Sequence, residues 1–130
     1  MNKRNLVYWL STSAVGLVLV VSGAFAAFHY PQMDNALKRL GYPTYFGTLL
    51  GTGKLAGVAV LLAPGLPRLK EWAYVASGIV MLSASYSHFM SGDGWLALEP
   101  LGFFGALIVS YLTRPASRRW NIPARVPAHA

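Results

Sequence analysis

The chain has 130 residues, of which 55% are hydrophobic and 12% are charged, and it contains no cysteine. Soluble domains carry roughly a quarter charged residues, so this composition excludes an ordinary soluble globular protein. The high hydrophobicity also excludes a disordered chain. Without cysteine the chain has no disulfide scaffold, thiolate zinc site or cysteine nucleophile.

The formal net charge is +7, from eleven Lys and Arg against four Asp and Glu. The basic residues lie between long apolar runs instead of along one face. This distribution is typical of membrane topology signals and not of nucleic-acid binding. We therefore expect a lipid bilayer, and no nucleic acid, as the chain's partner.

Four long apolar segments follow one another along the chain. They cover residues 6–28, 45–63, 72–90 and 95–112. A bilayer core of about 30 Å needs roughly 20 apolar residues in a helix, and runs without polar alternation exclude a membrane β-barrel. The sequence therefore predicts an all-α integral membrane four-helix bundle over 1–114, followed by a basic, flexible cytoplasmic tail over 115–130.

The first segment also has features of a signal peptide. Lys3 and Arg4 precede it, and Ala24-Phe25-Ala26 suits a small-residue cleavage site. Because nothing downstream resembles a secreted soluble domain, we expect the first span to remain uncleaved.

The first loop predicts a short helix that lies in the membrane interface. Met33, Leu37 and Leu40 fall on one helical face. Gly41 is suited to end this helix in the left-handed conformation, and Pro43 prevents its continuation. The other two loops are tight turns at 64–67 and 91–94, so spans two, three and four are expected to be antiparallel neighbours.

The loops differ strongly in basic residues. With four spans, both termini and the second loop share one side, and this side holds eight basic residues against two on the other. The eight are Lys3, Arg4, Arg68, Lys70, Arg114, Arg118, Arg119 and Arg125. The positive-inside rule therefore predicts that both termini are cytoplasmic.

Lys54 is the most unusual residue, because it lies nine residues into the second span, about 13 Å from its start. A lysine at this depth costs at least about 2.5 kcal/mol, so it should face the bundle interior or find a partner. Glu99, near the start of the fourth span, is the predicted partner. The pair is either a packing anchor or the centre of a ligand-binding or proton-handling site, and unpartnered snorkelling is the remaining alternative.

The third span carries a polar stripe at helical spacing, which we expect to face inward. Its residues either form interhelical hydrogen bonds or line a ligand cavity, with His88 as a polar cap above Lys54 and Glu99. The candidate ligand-binding residues are therefore Lys54, His88, Glu99, Ser85, Tyr74 and Ser77.

His29 and His88 lie near the outer ends of their spans, close to Asp34, Asp93 and Glu99. Two histidines with carboxylates can bind a metal, and two histidines from different helices can hold haem iron. No local spacing such as H-E-x-x-H supports either group, so interfacial hydrogen bonding is the favoured interpretation. No phosphate loop, nucleophile elbow or dinucleotide fingerprint assigns a catalytic residue.

Two GxxxG patterns put glycines on two faces of the second span, Gly47 with Gly51 and Gly53 with Gly57. Small residues allow close helix approach in membranes. We therefore expect both faces to make tight contacts and the second span to be central. Gly102 in the fourth span is expected to mark a further close contact.

Short motifs over nearly the whole chain resemble the DoxX-like family of small four-span membrane proteins. They are Ser22-Gly23, Leu40-Gly41-Tyr42-Pro43, Leu50-Gly51 with Lys54-Leu55, the stretch 66–74, Ala84-Ser85 with Ser87-His88, and Ser110-Tyr111-Leu112 before Arg114-Pro115. The stretch 66–74, Leu-Pro-Arg-Leu-Lys-Glu-Trp-Ala-Tyr, is the most distinctive. Similar sequences often have a second membrane lysine where this chain has Ala26.

The resemblance implies a four-helix bundle in the bacterial cytoplasmic membrane. The family takes its name from a subunit of a thiosulfate:quinone oxidoreductase, so quinone is the implied cofactor, and other membrane or redox-complex subunits, or a homo-oligomer, are the implied partners. We expect a non-catalytic subunit or a small-amphiphile-binding module with a polar pocket around Lys54, His88 and Glu99. A quinone-binding component of an oxidoreductase complex is the main alternative, and a small transporter is a third.

Overall fold

The computed structural model describes residues 2–121 and contains five α-helices. They are α1 (Lys3–Ala27), α2 (Pro31–Arg39), α3 (Tyr45–Leu62), α4 (Pro67–Met90) and α5 (Leu98–Thr113). Short 3-10 turns at Gly94–Ala97 and Ala116–Arg118 precede and follow α5. This part of the chain contains no β-strand, so the predicted all-α fold class is confirmed.

The four predicted spans correspond to α1, α3, α4 and α5, and α2 is the helix predicted in the first loop. α4 begins five residues before the predicted position. Leu66 has a left-handed φ of 55°, and Pro67 then starts the helix where its missing N–H costs nothing. α2 ends as predicted, because Gly41 has a φ of 91° and the Tyr42 N–H donates to the Leu37 carbonyl.

The four long helices form a ring. α1 packs against α3 and α5, and α4 packs against the same two helices from the other side. The helices joined by short turns are therefore neighbours, as predicted. α3 is one member of this ring and not its centre, which corrects the expectation drawn from its two glycine pairs.

The two ends of the ring differ in charge. One end, called the basic end, contains the start of α1, the turn between α3 and α4, and the end of α5. Its charged residues in the described chain are seven cations and one acid, Glu71. The other end, called the α2 end, carries α2 and the turn at 91–94, where α2 packs on α1 and α3.

The core lies where the ring helices meet, and the outer surface is apolar. Buried core residues include Val15, Leu19, Val58, Met81 and Leu107. Large apolar side chains also cover the outside, among them Leu10, Leu17, Leu49, Val75, Ile79 and Leu98, each more than half exposed. Such a surface suits lipid, because in water a patch of this extent would drive association.

Three helical stretches are long and apolar enough to cross a bilayer, Lys3–Ala27, Tyr45–Leu62 and Gly94–Thr113. α4 is 24 residues long but more polar, since it starts with charged residues and carries four serines and a histidine. The structure therefore supports a membrane protein. Crossing by α4 stays a prediction.

Candidate functional site

Lys54 is half-buried on α3 and lines three hollows between the helices. These have volumes of about 130, 290 and 170 Å³, and Lys54 and Val80 line all three. Lys54 and Glu99 are the only charged residues among the described side chains that line these hollows. We call the three hollows together the Lys54 cavities.

The ammonium of Lys54 is held by a hydroxyl. Its Nζ donates to Ser22 Oγ on α1 over 3.1 Å. Glu99 lines the 130 Å³ cavity, yet no carboxylate of residues 2–121 lies within 4.0 Å of the ammonium. The predicted Lys54–Glu99 ion pair is therefore wrong. The rotation of α3 places Lys54 against α1 instead, where a Cβ on Gly23 would lie 3.0 Å from Lys54 Cβ.

The glycines of α3 behave differently on its two faces. A Cβ added to Gly51 would overlap backbone atoms of Gly23 and Ala27 on α1, so this face makes the close contact predicted for small residues. A Cβ on Gly53 would meet nothing within 4 Å. The prediction of a tight contact on this second face is therefore wrong.

The second glycine face forms a cavity instead of a contact. Gly53 and Gly57 line the 290 Å³ hollow, opposite Ser77 of α4. The missing side chains leave space between α3 and α4, and Lys54 adjoins that space. Gly102 on α5 also faces open space, so its predicted close contact is absent among the residues that the structure describes.

Two of the other candidate residues on α4 are engaged by the protein itself. Ser85 Oγ donates to the Ala97 carbonyl over 2.6 Å, which ties α4 to the turn before α5. Tyr74 Oη lies 2.8 Å from Ser110 Oγ, and Ser110 Oγ lies 2.6 Å from Thr12 Oγ1 on α1. These contacts correspond to the interhelical hydrogen bonds considered for the polar stripe, and neither Tyr74 nor Ser85 lines the Lys54 cavities.

His88 lies at the α2 end, where its Nδ1 is 2.6 Å from Asp93 Oδ2. Arg39 of α2 pairs with the same carboxylate. The hydrogen bonds from His88 and Arg39 hold the pKa of Asp93 below its ordinary value. His88 lines none of the Lys54 cavities, so its predicted position as a cap above Lys54 is wrong. Instead, it joins the end of α4 to the 91–94 turn, and Arg39 joins α2 to the same turn.

The second histidine forms a separate pair. His29 Nδ1 lies 3.2 Å from Asp34 Oδ1, and His29 Nε2 lies 2.7 Å from Thr48 Oγ1. Each of these two histidines thus has its own carboxylate. Between residues 2 and 121, no three His, Asp or Glu side chains lie close enough together to hold a metal ion.

The cations of the basic end are predicted from the sequence only as topology signals, but several of them also bind the end of α3. Lys70 is 1% exposed, and its Nζ donates to the carbonyls of Val60, over 2.7 Å, and Ala63. Arg118 donates to the carbonyls of residues 61–62. These carbonyls have no partner within the helix, and a cation near a helix C-terminus is also favoured by the helix dipole.

Glu71 forms a second part of this network. It accepts from Tyr111 Oη over 2.9 Å and pairs with Arg114 Nη1 over 2.7 Å. The signal that could have found these contacts is the run 66–74, in which three charged residues are followed at once by Trp72 and Tyr74 at the start of an apolar segment. Lys70, Glu71 and Tyr74 of this run all contact other elements of the bundle.

A comparison with protein-family models identifies the chain. The model of the DoxX-like family matches residues 10–110, which include most of α1 and α5 and everything between them. The chain belongs to the DoxX-like family. Neither a curated protein nor a solved structure matches it significantly.

Several of the motifs on which the resemblance to this family rests contact one another in the structure. Ser22-Gly23 of α1 faces Gly51 and Lys54 of α3, and these four residues form the closest helix contact and its hydrogen bond. The run 66–74 joins α3, α4 and α5 at the basic end. The first group of motifs borders the Lys54 cavities. It contains both the tight packing of α1 on α3 and the only half-buried lysine of the described chain.

Proposed function

We propose that this DoxX-like protein is a non-catalytic module of the bacterial cytoplasmic membrane that binds a small amphiphile with an anionic head. Lys54 holds the head in this proposal. The supporting observation is Lys54, which lines three hollows and whose ammonium has a neutral hydroxyl, that of Ser22, as its hydrogen-bond acceptor. An ammonium in a low-dielectric site gains most from a charged acceptor, and it has two further N–H donors to offer.

The chemistry of the cavity walls fits an apolar tail. The 290 Å³ hollow is lined mostly by aliphatic and small residues, including Leu49, Leu50 and Gly53, with Ser77 as a polar exception. Ligand sites of this type are largely apolar, with a few polar groups that orient the head. Of the six candidate residues, Lys54, Glu99 and Ser77 remain in this site. Tyr74, Ser85 and His88 act in packing and in the α2-end contact.

All four long helices cross the bilayer in this proposal, with both termini in the cytoplasm. α4 is 24 residues long, or about 36 Å, which exceeds the hydrocarbon thickness. Its buried polar residues do not oppose crossing, because Tyr74 and Ser85 already have partners inside the bundle. The seven cations of the basic end favour the cytoplasmic side.

The ligand proposal is tested with oleate as the anionic probe on purified protein in a non-ionic detergent. We expect oleate to raise the thermal midpoint of the natural protein and to have no effect on Lys54→Met. Lys38→Met, an exposed change of the same type at the α2 end, serves as the matched control and keeps the response. An equal oleate response in Lys54→Met would contradict the proposal.

A quinone is the second candidate, since a quinone carbonyl accepts a hydrogen bond from the same ammonium. The protein would then be a quinone-binding component of an oxidoreductase complex. Decylubiquinone in place of oleate separates the two ligands. If it raises the midpoint through Lys54 and oleate does not, the quinone function replaces the anionic amphiphile.

The natural lack of cysteine makes a direct test of topology possible. Single variants Asn35→Cys in α2 and Ser117→Cys after α5 are labelled in intact cells with a membrane-impermeant maleimide. We expect immediate labelling at position 35 and labelling at position 117 only after the membrane is opened. Labelling of both positions in intact cells would show that α4 does not cross, and labelling of position 117 alone would show the opposite orientation.

A further inference from the structure

A groove that is separate from the Lys54 cavities lies on the outer surface of the bundle, between α4 and α5. It has a volume of about 310 Å³, and its walls include Val75, Gly78 and Leu82 of α4 and Phe104 and Ile108 of α5. Gly78 lets Phe104 approach, since a Cβ at this position would lie 3.2 Å from the phenylalanine ring. The groove therefore presents an almost entirely apolar channel to the surroundings of the bundle.

At the basic end this groove continues into a second hollow of about 390 Å³. Glu71 and Val75 line both spaces, and the second one also contains Arg68, Trp72 and Trp120. Arg68 Cζ lies 5.1 Å from the centre of the Trp120 ring, which is a cation–π distance. Trp72 is 73% exposed. A cation flanked by two tryptophans at the end of an apolar groove is the chemistry of a lipid headgroup region.

The charges around this hollow leave Arg68 available for an anion. Glu71, its acidic neighbour, is already paired with Arg114. Three other cations of this end are directed to backbone carbonyls, Lys70 and Arg118 to those at the end of α3, and Arg4 to that of Leu112. Arg68 has no carboxylate within 4.0 Å in residues 2–121.

The length of the groove matches a lipid chain. Arg68 and Leu82 are fourteen residues apart on α4, or about 21 Å. One leaflet contributes about half of the 30 Å hydrocarbon core. A lipid with its headgroup at Arg68 would thus place its acyl chain along the groove, which is longer than the hydrocarbon depth of one leaflet.

We propose that this α4–α5 groove binds an anionic phospholipid, with its phosphate on Arg68 and one acyl chain along Val75, Gly78 and Leu82. Arg is suited to phosphate because its planar guanidinium donates two parallel hydrogen bonds. Basic sites between membrane helices on the cytoplasmic side are able to select anionic headgroups. The site involves neither Lys54 nor its hydrogen-bond partner, so it is tested independently of the ligand proposed above.

The test measures lipid retained on delipidated protein by native mass spectrometry, after addition of phosphatidylglycerol or phosphatidylcholine. We expect the natural protein to retain phosphatidylglycerol preferentially, and Arg68→Gln to lower that retention about fivefold while phosphatidylcholine is unaffected. Lys3→Gln is the matched control, because it removes one exposed cation from the same end. Equal losses in both variants would show a diffuse charge effect and overturn the proposal.

A second pair of variants tests the groove itself. Val75→Trp fills the junction of the two hollows, whereas Leu17→Trp places the same bulk on an exposed position of α1. We expect Val75→Trp to lower retention of phosphatidylglycerol and Leu17→Trp to leave it unchanged. If Val75→Trp instead converts a dimer into a monomer without changing lipid retention, the groove is a contact between two copies and the lipid proposal fails.

Discussion

Lys54 of α3 donates a hydrogen bond to Ser22 of α1, with 3.1 Å between Nζ and Oγ. The contact lies where the two backbones come closest, beside Gly23 and Gly51. Lys54 therefore has a fixed position but only a neutral partner. A lysine that anchors the helices and a lysine that serves a ligand differ in how much their removal changes the free energy of unfolding, and this difference can be measured for Lys54.

Lys54→Met is expected to leave the free energy of unfolding unchanged or to raise it by about 1–2 kcal/mol, because it removes a half-buried charge whose desolvation is poorly offset. The measurement is unfolding of the purified protein in mixed micelles by increasing SDS. Lys38→Met, which is exposed, is the reference. A loss of more than about 2 kcal/mol in Lys54→Met would instead identify a packing anchor.

Gly51→Ala is expected to destabilise the protein by about 1–3 kcal/mol, since the new methyl group would overlap the backbone of α1 and force the helices apart. Gly53→Ala is the matched control on the same helix, where the methyl group meets nothing within 4 Å. It should be neutral, or stabilising by up to about 1 kcal/mol through helix propensity. Thermal midpoints of the two variants check the difference, and equal midpoints would contradict the close contact.

Lys70→Met is expected to lower the free energy of unfolding by about 1–3 kcal/mol, because the carbonyls of Val60 and Ala63 lose their donor at the end of α3. Lys3→Met, an exposed change at the same end, should have little effect. Hydrogen exchange of the last turn of α3 provides the local measurement. Unchanged protection there in Lys70→Met would show that the ammonium is not its cap.

Ser110→Ala is expected to lower the free energy of unfolding by about 1–3 kcal/mol, because it leaves the hydroxyls of Thr12 and Tyr74 without their shared partner. Ser117→Ala, outside the ring of helices, is the comparison and should be neutral. The double variant Ser110→Ala with Tyr74→Phe should lose less than the sum of the two single changes. Full additivity would argue against the network.

The α2-end contact is expected to weaken in acid. The pKa of Asp93 is lowered, chiefly by its hydrogen bonds to His88 and Arg39, from an ordinary value of 3.8. A carboxyl with a lowered pKa contributes stability that is complete above its unfolded-state value and is lost as pH falls through the folded-state value. The measurement is hydrogen exchange of α2 from about pH 7 to about pH 3.

Asp93→Asn supplies the control for this pH dependence. Its α2 protection should be lower than that of the natural protein near neutral pH, and the difference should shrink below the ordinary value of 3.8. Asp34→Asn, which affects the His29 pair, should leave the Arg39 contact in place. A constant difference across the pH range would exclude Asp93 as the titrating group.

Much of the fold could be predicted because its determinants are local. The end of α2 at Gly41 follows from backbone geometry, and the apolar runs mark the helices. The predicted start of α4 is five residues too late, because the apolar segment begins at Trp72 whereas the helix begins at Pro67. A flexible tail is predicted over 115–130, and the structure describes this segment up to residue 121. Within that part, Arg118 and Trp120 contact the bundle.

The candidate site was predictable only in part. Lys54 was singled out because charge is costly in hydrocarbon, and this reason does not depend on the fold. Its partner was assigned to Glu99 by depth, but depth does not specify how far a helix is rotated about its axis. In the structure Lys54 points toward Ser22 and not toward Glu99. His88 pairs with Asp93 and does not line the Lys54 cavities.

By itself, the sequence determined the all-α class, the apolar helices, the positions where they end and the unequal charge of the two ends. These properties depend on residues within a turn or two of one another and on the cost of charge in lipid. The tertiary structure alone decided which glycine face is closed and which is hollow, and which acceptors Lys54 and Lys70 reach. In lipid, an apolar face gains little by turning inward, so hydropathy does not set helix rotation, and packing and hydrogen bonds around the whole ring decide it.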